Sequence, residues 1–350
     1  MSYSVIQWGT GTHGHLALRG ILDHPELELV GVKVHSESKH GQDAGALCGR
    51  PDTGILASNK FDDIVSLNAD CVVYMPLLPD KRDVIALLRS GKNVIASNGW
   101  FYEGRRDFAD VESAALQGNA SLHGTGIHPG GITEKLPLVA SALITNIRFM
   151  RGEEFSDIRT YDAPDVVTDV MLFGKPVDEV RNSPMLHLLG DGFCQSVDMM
   201  ADAIGVSLDE EYSTEHLYSV ATADIDTPFG KLEKDTVAAQ HFSWSGTVRG
   251  TPVIQAAVNW YMGHDHLESG WVLGKERFEM QVEGDNRIQL VTEHLHHEGE
   301  YQGGVDEESA IVATGVHCVN SVPAVCEAAP GLCNYLNLPI VTGKAAADLR

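Results

Sequence analysis

A short strand pattern, Ser4-Val5-Ile6-Gln7-Trp8, runs directly into Gly9-Thr10-Gly11-Thr12-His13-Gly14. A helical stretch over residues 15–23 and a second strand pattern over residues 28–34 follow at once. Strand, GxGxxG, helix and strand within about 30 residues constrain the chain far more than the glycines alone, because this is the setting of a dinucleotide-binding Rossmann unit. In that setting Gly9 permits the tight turn, Gly11 lets the backbone approach a pyrophosphate, and Gly14 lets the helix pack closely on the strand. The helix N-terminus, with Thr10, Thr12 and His13 around it, then offers N–H groups and a partial positive charge to the phosphates. A glycine turn that merely joins strand to helix does not need all three.

The tip of the second strand decides between cofactors. It reads Val34-His35-Ser36-Glu37-Ser38-Lys39-His40. An NAD site usually places a carboxylate there for the ribose 2′-hydroxyl. Here His35 and Ser36 hold the key positions, Glu37 comes late, and Lys39 is close enough to meet a 2′-phosphate. The reading favours NADP(H), with NAD(H) as the alternative; Ser38 and Lys39 as plain solvent-facing loop residues is a competing view.

Alternation continues through residue 130. Strand patterns at residues 70–75, 93–96 and 122–126 and a helix at 83–90 predict a doubly wound α/β domain over residues 1–130. Ligands of such sheets lie at the carboxyl ends of the strands, which marks Met75, Pro76, Ser97, Asn98, Gly126 and His128 as walls of the nicotinamide site. Residues 131–320 read as a second α+β domain for substrate binding and dimerisation: a helix at 133–143, a strand at 146–155, and alternating segments at 237–245, 253–260, 277–282 and 287–292 that argue for a mostly antiparallel sheet. Residues 207–214 and 301–308 read as exposed connections, and residues 321–350 as a segment that packs back on the first domain.

The formal net charge is −24 over 350 residues. A field of that sign repels phosphate backbones and anionic membranes, so neither nucleic acid nor a membrane surface is an expected partner. No apolar run reaches the ~18 residues of a bilayer span and no secretory signal is visible. Six scattered cysteines without a CxxC pair read as reduced thiols of a cytoplasmic protein. His264-x-His266 and His294-x-His296-His297 lack a zinc-site setting, and no metal is expected.

Several segments together resemble the dihydrodipicolinate reductase-like superfamily, and within it the native amine dehydrogenases and 2,4-diaminopentanoate dehydrogenase. They are residues 5–14, residues 30–34 with Gly45, Gly91-Lys92-Asn93-Val94, Gly124-Thr125-Gly126-x-x-Pro129-Gly130, Glu154-Phe155-Ser156-Asp157 with Tyr161, Phe173-Gly174-Lys175-Pro176, and residues 324–339. The resemblance implies a homodimer, a catalytic cleft between two domains, and NAD(P)H-dependent reductive amination of small ketones or aldehydes with the reverse deamination. Such enzymes carry a catalytic glutamate shortly after the Gly-Lys-Asn-Val strand. Here Asn98 stands at that place and the nearby carboxylate is Glu103. An amide orients a substrate but does not exchange protons, so Asn98 and Glu103 are both candidates, and a carbonyl reductase or a non-catalytic NADP(H) sensor stays open beside amine chemistry.

His128, with an unperturbed pKa near 6.5, is a candidate proton donor, against the plainer view that it closes the turn before Pro129. Tyr161 is a candidate for polarising a carbonyl, against a core aromatic. Trp100 and Tyr102 flank Phe101 on the loop after the cofactor strand and, with Thr133, Phe155, Tyr161 and Phe193, are the candidate substrate pocket. Met185, His187 and Phe193 lie on a glycine-rich apolar stretch. Glu154 and Asp157 fall on opposite registers of one strand, so that one of them is a candidate to face the substrate, against the plainer view that both are solvated acids of an acid-rich chain.

Overall fold

Val5 and Ile6 are neighbours on one strand, point to opposite faces, and are both fully buried; a sheet covered on two sides is the arrangement that requires this. The computed structural model describes residues 2–161, 163–271, 273–293 and 310–350. They form two compact units, Met1–Ile127 with Ile311–Arg350, and His128–Ala310. The first unit opens with β1 (Tyr3–Trp8), α1 (Thr12–Asp23), β2 (Leu27–Lys33), α2 (Phe61–Val65), β3 (Cys71–Tyr74), α3 (Lys81–Arg89), β4 (Asn93–Ala96), α4 (Ala109–Gly118) and β5 (Ser121–Gly124).

The second unit follows with a π-helical turn (Gly131–Lys135) leading into α5 (Leu136–Ser141), then β6 (Phe149–Asp157), a second π turn (Val166–Val170), α6 (Val177–Arg181), α7 (Met185–Ile204), β7 (Ser213–Val220), β8 (Ile225–Thr227), β9 (Gly230–Leu232), β10 (Val237–Val248), β11 (Thr251–Tyr261), β12 (Arg277–Glu283) and β13 (Arg287–Thr292). Its sheet runs β13-β12-β6-β11-β10-β7. The β6–β11 pair is parallel and the other four are antiparallel. One face gathers Met150, Ile254, Ala256, Val258, Phe242 and Trp244 beneath Phe193, Val197 and Met200 of α7. The glycine-rich stretch from Met185 is therefore a helix of 20 residues. Gly190 suits that helix to its sheet, since a Cβ there would stand 2.5 Å from the Trp244 indole nitrogen. Residues 207–214 are not simply exposed: Asp209 accepts from Thr247 Oγ1 and the Arg249 and Gly250 amides, which pins the segment to the β10–β11 hairpin, and β7 begins inside it.

The chain returns to the first unit as α8 (Ala310–Cys326) and β14 (Gly331–Cys333). The resulting sheet is entirely parallel in the order β14-β5-β4-β3-β1-β2. One face packs Val5, Val32, Val73 and Ile95 against Leu18 and Ile21 of α1 and Val319 and Val322 of α8. The other packs Ile6, Val72, Val94 and Leu122 against Val84 and Leu87 of α3 and Val111 and Ala115 of α4. Each such side chain contributes roughly 1.5–3 kcal/mol by its burial. Strand order reverses between β1 and β3, the place where open α/β sheets bind ligands. No helix among the described residues is long and apolar enough to cross a membrane.

Candidate active site

The glycine loop follows β1 at that switch point. Gly9 has φ +93°, and a Cβ on it would lie 2.5 Å from the Met75 carbonyl oxygen at the end of β3. A Cβ on Gly14 would strike the Gly9 carbonyl, whereas one on Gly11 would meet nothing within 4 Å among the described residues. Gly9 and Gly14 are thus demanded by packing, and Gly11 opens onto space. Gly11 is also the N-cap of α1, with no side chain capping it. An open cradle backed by an uncapped helix N-terminus fits a pyrophosphate. Thr12 and His13 form the first turn of that helix; burial holds the His13 imidazole down at about 4, so it is neutral at neutral pH.

Beyond β2, His35 and Ser36 are exposed. Lys39 turns back and donates from Nζ to the Thr10 carbonyl at 2.6 Å and Thr10 Oγ1 at 3.3 Å. Glu37 turns away, its Oε2 accepting from Asn59 Nδ2 at 2.5 Å. Met75 is buried, and its amide donates to the Trp8 carbonyl at 2.8 Å, which ties it and Pro76 to the end of β1. Ser97 and Asn98 follow β4, and Asn98 Nδ2 donates to the Pro76 carbonyl at 3.0 Å. Trp100 is held at φ 54°, uncommon for a bulky residue, with its backbone where a Cβ on Gly124 would have to be. Tyr102 is half-buried, Gly126 buried and Glu103 exposed.

In the second unit His128 does not fit the role of proton donor. Its Nε2 donates to the Ala257 carbonyl at 3.0 Å and its Nδ1 accepts from Thr133 Oγ1 at 2.7 Å. Burial lowers it to about 4; it is a neutral ring with both nitrogens engaged. Thr133 is wholly buried, and Phe193 is stacked 4.7 Å from Trp244 and lies 4.7 Å from His128, so both belong to the core rather than to a pocket wall. Phe155 likewise lies 7% exposed under the Arg277 guanidinium, 3.6 Å from its ring centroid. These corrections share one cause. Pleat alternation and packing partners on other elements decide which side of the sheet a residue serves.

Tyr161 is half-buried, its phenol pushed up to about 12 by burial and by the charge of Glu154. Glu154 is the group that residue spacing alone did not single out. Its Oε1 accepts from Ser156 Oγ at 2.8 Å and from Trp260 Nε1 at 3.0 Å. Burial raises this carboxyl against the pull of those two donors. Asp157, on the opposite register, is a structural anchor, bound through both oxygens by Arg159 Nε at 3.0 Å and by the Gly263 amide at 3.2 Å. Among the described residues no group of three metal-ligating side chains occurs. His264 Nε2 bonds the Gly274 carbonyl at 2.8 Å, and His294, His296 and His297 lie outside the described residues, as do residues 301–308.

A doubly wound parallel sheet with an open glycine cradle at its switch point, joined to a second unit built on a mixed sheet, defines a Rossmann-type, nicotinamide-dependent oxidoreductase. An amine dehydrogenase of Streptomyces virginiae is 31% identical to this chain over 96% of each sequence. The chain belongs to the amine dehydrogenase family, and it is an NAD(P)-dependent, amine dehydrogenase-like enzyme. The profile of the 2,4-diaminopentanoate dehydrogenase C-terminal domain matches residues 184–349. The 2,4-diaminopentanoate dehydrogenase of Acetoanaerobium sticklandii is 24% identical over 66% of this chain and 61% of its own length. The solved structure of an amine dehydrogenase from Mycobacterium smegmatis shares the fold, with a TM-score of 0.77 over 98% of both chains at 17% identity.

Proposed function

We propose that this enzyme uses NADP(H) in preference to NAD(H) and interconverts a small, largely apolar carbonyl compound with the corresponding amine. The observation that carries the cofactor choice is the position of Lys39, with Nζ 2.6 Å from the Thr10 carbonyl while Glu37 is held by Asn59. Positive charge without a competing carboxylate beside the glycine loop suits a 2′-phosphate. When bound, the cofactor supplies or accepts the hydride. In this reading residues 9–14 and the start of α1 hold the pyrophosphate, Lys39 pairs with the ribose phosphate, and Met75, Pro76, Ser97 and Gly126 wall the nicotinamide.

The amine half rests on kinship with the amine and diaminopentanoate dehydrogenases. A second reading, reduction of the carbonyl to an alcohol, is favoured by the loop after β4, where an amide stands at Asn98 and Glu103 is exposed. A homodimer is part of the same proposal. On the sheet face opposite α7, Leu217 of β7 and Val291 of β13 are 47% and 42% exposed, one at each edge of the sheet, two apolar side chains that a second copy would cover.

Fluorescence titration tests the cofactor choice. NADPH should bind more tightly than NADH, and Lys39→Ala should weaken NADPH about fivefold, the loss of ~1 kcal/mol for one charge-assisted bond, with little effect on NADH. A tenfold preference for NADH refutes it. Oxidation of NADPH by small ketones and aldehydes, with and without ammonium, separates amine from alcohol as the product.

A further inference from the structure

We propose that Gln7 is a positioning residue for the dinucleotide: it turns the Gly9 carbonyl inward and so presents the Thr10 amide to the pyrophosphate. The inference rests on the reading of residues 9–14 as the pyrophosphate cradle. β1 buries Val5, Ile6, Gln7 and Trp8 in succession. Gln7 is 0% exposed, and its cross-strand neighbours are Val32 of β2 and Val73 of β3. Those two valines, with Val5 on the same side of β1, belong to the core under α1. A central strand of a parallel sheet asks for an apolar side chain at such a place, and a carboxamide there lowers stability unless both of its ends are paired.

Protein pairs one end of it. Gln7 Nε2 donates to the Gly9 carbonyl at 2.8 Å, whereas among the described residues no donor reaches Gln7 Oε1. Packing therefore does not account for this amide; the Gly9 carbonyl does. Gly9 is gripped along its length. Its own amide donates to the Lys33 carbonyl at 2.8 Å, and the Met75 carbonyl stands where its Cβ would be. Its carbonyl points at the bare Cα of Gly14, and a Cβ on Gly14 would also lie 3.4 Å from Gln7 Nε2. Gln7, Gly9 and Gly14 thus form one packed unit beneath the loop.

The orientation of that carbonyl fixes the next amide. The Gly9–Thr10 peptide is trans, so its N–H points opposite to its C=O. With the oxygen drawn down to Gln7 in the core, the Thr10 N–H faces the other way. The Gly11 carbonyl is likewise engaged, by the His15 amide at 3.0 Å. An anion over this loop then meets N–H groups rather than carbonyl oxygens, the arrangement that suits a phosphate at a helix N-terminus. Without the Gln7 donor, water does not take its place in the core, and the Gly9 peptide loses the bond that sets its tilt.

The test measures binding to the full chain, of NADPH and NADH by fluorescence and of ADP-ribose and adenosine by competition with NADPH. Gln7→Met keeps the length of the side chain but offers Gly9 no donor. It should weaken NADPH, NADH and ADP-ribose, which share the pyrophosphate, by one common factor of about ten, as for one hydrogen bond to a charged group. Adenosine, which lacks the pyrophosphate, should bind within about twofold of the parent, and the variant should still melt cooperatively. Affinity for both dinucleotides within about twofold of the parent overturns the inference. So does a loss confined to one dinucleotide, or an equal loss for adenosine, which marks a nucleotide site distorted as a whole. Loss of cooperative melting in both Gln7→Met and Gln7→Leu overturns it too, by marking a purely structural group. A parent that binds neither dinucleotide removes the reading of the glycine loop itself, and the inference falls with it.

Discussion

Glu134 makes the sharpest prediction about stability. It is 0% exposed, accepting hydrogen bonds from the Gly130 amide and from Ser196 Oγ. Burial raises its carboxyl from 4.5 to about 8, more than those two donors lower it. Between those two values the folded chain keeps a proton that the unfolded chain has released, so stability falls as pH rises through that window and is flat below it. At 1.36 kcal/mol per pH unit, moving from about pH 5 to about pH 7 removes roughly 3 kcal/mol. Glu134→Gln copies the protonated form: its carbonyl accepts from Gly130 and its amide donates to Ser196. Parent and variant should therefore melt together near pH 5. Near pH 7 the variant should melt about 6–12 °C higher, at ~2–4 °C per kcal/mol for a unit of this size. Scanning calorimetry of both proteins at the two pH values, at constant ionic strength, reads the difference and cancels all other titrations. A gap that does not change with pH, or a variant less stable near pH 7, refutes the reasoning.

Gly11→Ala should fold like the parent yet bind NADPH at least about tenfold more weakly, whereas Gly9→Ala, with φ +93° and a carbonyl 2.5 Å from the new Cβ, should lower the melting temperature itself; equal behaviour of the two contradicts the division made here. Asn98→Glu should raise reductive amination more than carbonyl reduction, and Glu103→Gln should change either rate less than about tenfold, within the range of lost acid–base assistance. Strong amination in the parent, abolished by Glu103→Gln, would transfer the acid's role to Glu103. Light scattering at micromolar concentration should give twice the chain mass of 37.9 kDa; the single value excludes the dimer.

What was legible in the sequence is what the backbone itself dictates. The three glycines carry their reason locally, in a turn and a helix–strand approach; β1 and β4 follow from short apolar runs beside turn signals, and β10 through β13 from period-two alternation. The helix α7 escaped notice because Gly190 and Gly192 lower helix propensity, and the contact that justifies Gly190 is with Trp244, on another element. Glu154 and Asp157 looked equivalent as neighbours of Phe155. The pleat sent them to opposite faces, and Trp260, 106 residues distant, supplied the bond that distinguishes Glu154. His128 misled for the same reason: its partner carbonyl at Ala257 lies 129 residues away.

The edge strand of the cofactor unit is made long after its neighbour: Ser121 Oγ bonds the Ala329 carbonyl across 208 residues, and β14 then pairs with β5. The unit His128–Ala310 is continuous in sequence, so on the ribosome it has its strands in hand while the first unit still shows the outer edge of β5 unpaired and the α1 face without α8. An unpaired edge is a template for pairing with another chain. The order of synthesis therefore makes the nascent dinucleotide fold the vulnerable species, and its protection depends on the emergence of α8 and β14.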